Sequence, residues 1–200
     1  MGRREEKTAR TRAAIVDNAM RLFAARGFDS VTVEQITQAA GVAKGTFYTY
    51  FSMKSDIIVE EFWKIDRYYD EYASRNLSRY RTPEEKLHAF TRAQMRYVRD
   101  VIGNENLKIL YANQTLLTGQ KRVMVSPDRQ WYRIVGEVIA DGQATGVFRT
   151  DASASELAYE FNRSMRSVFL DWCITDGGFD LVKEGLRYLE RWLLPAVRNH

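Results

Sequence analysis

One cysteine, two histidines and three prolines in 200 residues set the first limits on this chain. A lone Cys173 can form neither an intramolecular disulfide nor a cysteine-based metal site. With only His88 and His200 beside it, most nucleophile–base arrangements lack a member. His88 lies one helical turn after Glu84, but two such ligands are too few for a metal. There is no uncharged apolar run of about twenty residues, the length a membrane span requires. The charged N-terminus lacks the apolar core of a signal peptide, so the expectation is a cytoplasmic protein. No G-x-S-x-G, phosphate loop, Rossmann glycine pattern or metalloprotease signature occurs, so neither an enzyme nor a cofactor is expected. Alternating runs of Val, Ile and Thr are missing too, which points to an all-α fold.

What remains is rich in core material. Hydrophobic residues make up 45% and aromatics 12%, enough to argue against disorder. Charge is unevenly placed. Residues 1–54 hold nine Lys/Arg and five Asp/Glu, whereas the rest of the chain holds 21 of each. The whole positive excess therefore sits in the first quarter, with Arg3, Arg4, Lys7, Arg10 and Arg12 clustered at its start. A basic head on a neutral body is the footprint of a nucleic-acid-binding unit.

The stretch from Thr32 to Lys54 organises that head. Thr32 followed by Gln35 has the spacing of a capping box, which predicts a helix from Val33. Ile36, Ala39 and Ala40 would form its small apolar face. Gly41 ends it, and a second short helix is predicted from Lys44 to Phe51. Phe47 and Phe51, four apart, should face inward. That leaves Lys44, Gly45, Thr46, Tyr48, Thr49 and Tyr50 to offer a cation, hydroxyls and aromatic faces to phosphates and base edges. Lys54, at the start of the next helix, reads as a further phosphate contact.

The string Gly41-Val-Ala-Lys-Gly-Thr-Phe-Tyr-Thr-Tyr-Phe-Ser-Met-Lys54 resembles the TetR family of bacterial regulators, in register over roughly Thr11 to Ile58. Ala43 stands where that family often has Ser or Thr, and Met53 where a small capping residue is usual. Ser52 and Ser55 are candidate substitutes for the cap. The resemblance implies DNA contacts at Thr32, Ala43, Lys44, Gly45, Thr46, Tyr48, Thr49, Tyr50 and Lys54. It also implies a homodimer, a double-stranded DNA operator and a small-molecule effector.

The rest of the chain reads as helices. The first is expected over Thr11–Arg26, after a frayed basic start. One uninterrupted helix from Lys54 to Arg75 would be a stiff rod. Pro83 opens a fifth helix, a loop covers TGQKRVMVSPD, and the next helix starts near Pro127 with Ser126 as its cap. The domain reading is a DNA-binding unit over 1–54 and a ligand-binding and dimerisation unit over 55–200. In the terminal hairpin Phe179, Val182, Leu186, Leu189 and Leu193 repeat at three and four, the seam pattern of a bundle. With Phe161, Val168 and Trp172 they are the candidate dimer interface. Phe62, Tyr69, Met95, Tyr97, Tyr111, Asn113, Trp131, Phe161, Met165 and Phe169 are the candidate pocket residues, with Gln114, Asn162 and Arg166 as candidate polar contacts. A rival reading is a dimeric architectural DNA-binding protein that answers to no ligand; another is a helical enzyme or carrier with a merely structural head.

Overall fold

The structure, a computed structural model, describes residues 2–116 and 123–199. The first part of the expected loop, the terminal His200 and the side chains of Arg3 and Arg4 lie outside the described residues. The chain divides into two compact units, Met1–Phe62 and Trp63–His200.

The first unit holds α1 (Arg3–Arg26), α2 (Val33–Ala40), α3 (Lys44–Tyr50) and α4 (Asp56–Phe62). Helix α1 begins well before the expected Thr11, with the Gly2 amide donating to Glu5 Oε2 at 2.9 Å. Ile15, Val16, Ala19 and Phe23 line its buried stripe at helical spacing. They meet Val31, Ile36, Phe47, Phe51, Ile57 and Ile58 in one small core. Ala39 does not share that core: α2 turns Ile36 and Thr37 inward and leaves Ala39 exposed.

The second unit holds α5 (Lys64–Asn76), α6 (Pro83–Tyr97), α7 (Asn104–Leu116), α8 (Gln130–Ala144), α9 (Ala154–Ile174), α10 (Leu181–Tyr188) and α11 (Leu194–Val197). Thr82 caps α6 and Ser153 caps α9, each with a glutamate three residues on, as capping boxes require. Helix α6 runs on through a π-helical stretch, Val98–Ile102, and α10 joins α11 through another, Leu189–Leu193. Helix α8 packs on α9 and α5, and α10 packs on α6 and α9. Among the described residues the only β pairing is an isolated bridge between Phe148 and Arg198.

Three sequence expectations change here. The rod over Lys54–Arg75 is interrupted: α4 ends at Phe62 and α5 starts at Lys64. The interruption falls where Trp63 and Asp66 both engage Arg129, the guanidinium carbon lying 5.7 Å from the Trp63 ring centroid. Helix α8 starts at Gln130, not near Pro127. Arg129 takes the extended N-cap conformation, at φ −64° and ψ 133°, and its side chain is ion-paired with the buried Asp66.

The dimer assignment changes most. Leu189, Leu193, Phe161 and Trp172 are buried within the single chain, whereas Val168, though largely buried, lines a surface groove. A spacing of three and four shows that a face must be covered, not which chain covers it. Phe179, Val182 and Leu186 stay half-buried, and Leu170, Ile174 and Trp192 are exposed.

Candidate nucleic-acid interface and effector core

The helix-turn-helix is built as its residue types dictate. Thr32 Oγ1 accepts from the Gln35 amide at 3.2 Å, and Gln35 Oε1 accepts from the Thr32 amide at 2.9 Å. Gly41 takes φ 67° and ψ 33°, a left-handed turn that suits glycine. Ala43 supplies no side-chain hydrogen bond at the start of α3. Phe47 is fully buried and Phe51 nearly so. Their burial fixes which face of α3 looks outward.

On that outer face Tyr48 is 52% exposed, with its ring edge-on to Phe47 at 5.3 Å. Thr32, Ala43, Lys44, Gly45 and Thr49 are exposed, and Thr46 and Tyr50 are half-buried. Nothing lies within 4 Å of where a Cβ on Gly45 would be, so a backbone or base could approach closely there. Thr49 Oγ1 donates to the Gly45 carbonyl at 3.2 Å, which orients its oxygen. Lys44 is ion-paired with Glu34 of α2. That hydrogen bond raises the lysine pKa above its ordinary value and lowers that of the glutamate.

Lys54 is a correction. Its ammonium points inward, donating to the Phe28 carbonyl at 2.5 Å and the Val31 carbonyl at 2.7 Å. The Phe28 ring centroid lies 4.1 Å from the nitrogen. Burial lowers the pKa of this lysine, while carbonyls and ring replace the water it has lost. Its main task is to hold the segment between α1 and α2. The start of α4 is served by Asp56, whose Oδ2 accepts from the amides of Ser52 and Met53 at 2.8 and 3.1 Å.

In the second unit the candidate pocket residues separate. Tyr69, Phe90, Trp131 and Phe161 form a chain of ring contacts at 5.3, 6.5 and 5.9 Å. Met165, Phe169 and Asn113 are buried. Met95 fits against the bare backbone of Gly185, where a Cβ would come within 2.7 Å of its sulfur. That makes Met95 a contact between α6 and α10. Tyr97 stacks on Tyr68 at 4.4 Å, and the Tyr111 hydroxyl donates to the Arg166 carbonyl at 3.2 Å. Phe62 falls in the first unit rather than with the body.

Polar groups enrich this region: Asn113, Gln114, Asn162 and Arg166 are among the sequence candidates, whereas Asp66, Gln94 and Arg129 are not. Arg129 Nε donates to both Asp66 oxygens at 2.8 and 2.6 Å, and both side chains are almost fully buried. The Tyr132 hydroxyl and Arg166 both donate to Asn162 Oδ1, at 3.1 and 3.0 Å. Gln114 accepts from the Met124 amide at 3.2 Å and donates to Asn113 at 3.2 Å. Among the described residues Gln94 Oε1 and Trp131 Nε1 are buried with no hydrogen-bond partner. Most buried polar groups in folded proteins have a partner, so these two stand out in the core. No sequence period marks Asp66 and Arg129, because their pairing spans 63 residues. His88 pairs with Glu190 at 3.0 Å, while Glu84 holds Arg198.

A helix-turn-helix that buries two phenylalanines and presents a tyrosine, threonines and a lysine, in a chain whose second unit is helical, defines a DNA-binding transcriptional regulator. Residues 15–60 match the family described as bacterial regulatory proteins, tetR family. The HTH-type transcriptional regulator AcrR of Shigella flexneri is 24% identical, over all of this chain and 98% of its own. The HTH-type transcriptional repressor KstR2 of Mycobacterium tuberculosis is 26% identical, over 89% and 88%. The Thermus thermophilus FadR structure, a TetR family transcriptional repressor in complex with lauroyl-CoA, aligns with a TM-score of 0.77. It is 25% identical and covers 94% of this chain and 97% of that one. The tetR-family match thus covers residues 15–60, and the similarity to these regulators over most of the chain is 24–26%. Among the described residues no helix is long and apolar enough to cross a membrane.

Proposed function

We propose that this protein is a homodimeric repressor that binds a palindromic operator and leaves it when an amphipathic effector enters the body. The observation that carries the reading is the outer face of α3. Tyr48, Thr46, Thr49 and Lys44 project around the open backbone of Gly45, beside an inner face that is fully committed to packing. Thr46 and Tyr48 are the base-edge or phosphate contacts, Thr32 contacts phosphate and Tyr50 braces the backbone, while Lys44 lies on the same face with its charge held by Glu34.

Pairing is supported by the exposed apolar residues Leu170, Ile174 and Trp192 and by a groove of about 570 Å³. Val168, Phe179, Tyr188 and Trp192 line the groove together with Asp171, Glu184, Arg187 and Arg191. Apolar residues ringed by both signs of charge suit a self-complementary two-fold contact. The effector reading rests on the aromatic core around Trp131 with its buried polar groups. A relative that holds lauroyl-CoA makes long-chain acyl thioesters the first compounds to test.

Sites selected from random duplexes at about 150 mM salt, where weak sequence-independent binding is suppressed, test the operator. An enriched inverted repeat is the expected result, and adding lauroyl-CoA should release it. An enriched repeat that no amphipathic compound releases would leave a ligand-independent DNA-binding protein.

A further inference from the structure

Glu34 is the only charged residue of α2 and Lys44 the only charged residue of α3. The two are ion-paired across the turn, and both side chains are more than half exposed. The helix-turn-helix proper is therefore electrically neutral, although residues 1–54 carry four excess positive charges. All four lie on α1, since Lys54, which is turned inward, is offset by Asp29.

Sequence-independent DNA binding is almost entirely electrostatic, whereas sequence is read by base edges. A carboxylate on the groove side repels phosphates in every register. It also withholds the ammonium of Lys44 from them. In the operator register, hydrogen bonds from Tyr48 and Thr46 compensate, and the carboxylate can accept from a cytosine amino group. On arbitrary sequence nothing compensates.

We propose that Glu34 is a specificity-determining residue: by holding Lys44, it depresses binding to arbitrary DNA more than binding to the operator. This rests on the reading that α3 meets the DNA.

The test compares wild type with Glu34→Gln on the selected operator and on a scrambled duplex of equal length, across a salt series. The variant should bind scrambled DNA about three- to tenfold more tightly, with a salt slope steeper by about one counterion. Operator affinity should change less, so the ratio of the two falls. Adding Lys44→Met to the variant should restore the wild-type slope, which a merely structural role for Glu34 would not do. Equal gains on both duplexes, or an unchanged slope, overturn the proposal. So does a loss on both duplexes with a lower melting temperature, which would make Glu34 a support of α2. A wild-type chain that selects no sequence overturns the operator reading and this inference together. A wild type that selects, with the variant's ratio unchanged, overturns this inference alone.

Discussion

Replacing Lys54 with Met keeps most of the side-chain volume and deletes the ammonium, which separates the phosphate contact expected from sequence from the clamp seen in the structure. In the structure the nitrogen has two carbonyl acceptors, at 2.5 and 2.7 Å, and a ring centroid at 4.1 Å. Hydrogen bonds to a charged group contribute about 1.5–3 kcal/mol each. The ring adds about 0.5–1 kcal/mol at a partly exposed site. The side chain is only half-buried, so water recovers part of the loss, and about 2–3 kcal/mol is the expected net cost. For a unit of some sixty residues that lowers the melting temperature by roughly 10–20 °C. Circular dichroism melts read the stability, and hydrogen exchange should show lost protection around Phe28 and Val31. Salt dependence of DNA binding is the control. A phosphate ligand would take about 0.9 from the slope of log K against log salt when removed; a clamp leaves the slope unchanged. A variant that melts like wild type and loses slope would refute the clamp and reinstate Lys54 as a phosphate contact.

Other substitutions test other parts of the structure. Gly142→Ala should destabilise by about 1–3 kcal/mol, because the new Cβ would lie 2.1 Å from the buried Phe148 ring. Gly136→Ala on the same helix meets nothing within 4 Å and should stabilise by about 0.5–1 kcal/mol, so paired chemical denaturation gives opposite signs. Asp66→Ala strands the buried Arg129 guanidinium and should cost about 3–5 kcal/mol, a loss that Arg129→Leu in the same chain should partly recover. Burial pushes the Cys173 thiol up to about 11 from 9.0. The folded thiolate is therefore about a hundredfold scarcer near neutral pH, and iodoacetamide labelling should be slow until the chain unfolds or the pH approaches 11.

The sequence made local rules visible and long-range partners invisible. Thr32 with Gln35, Gly41, Pro83 and the buried pair Phe47 and Phe51 could be placed because each obeys a rule that spans a few residues. Lys54 could not, since its acceptors are carbonyls 23 and 26 residues away. Ser126 and Pro127 look like a helix start in isolation, yet α8 begins only after Arg129, whose side-chain partner Asp66 is 63 residues away. Leu189 and Leu193 carry the right period for an interface and are consumed by their own chain. Ion pairs such as Glu34 with Lys44 join residues on different helices, and no helical period brings them together.

The four tryptophans stand in four surroundings, which makes the protein its own optical probe. Trp192 is 66% exposed on the groove face, Trp131 is buried among aromatic rings, Trp172 donates to the Phe179 carbonyl, and Trp63 faces a guanidinium. Single-tryptophan versions would therefore report separately: emission from Trp192 should move to the blue as subunits associate, while Trp131 should change intensity when an effector enters the core.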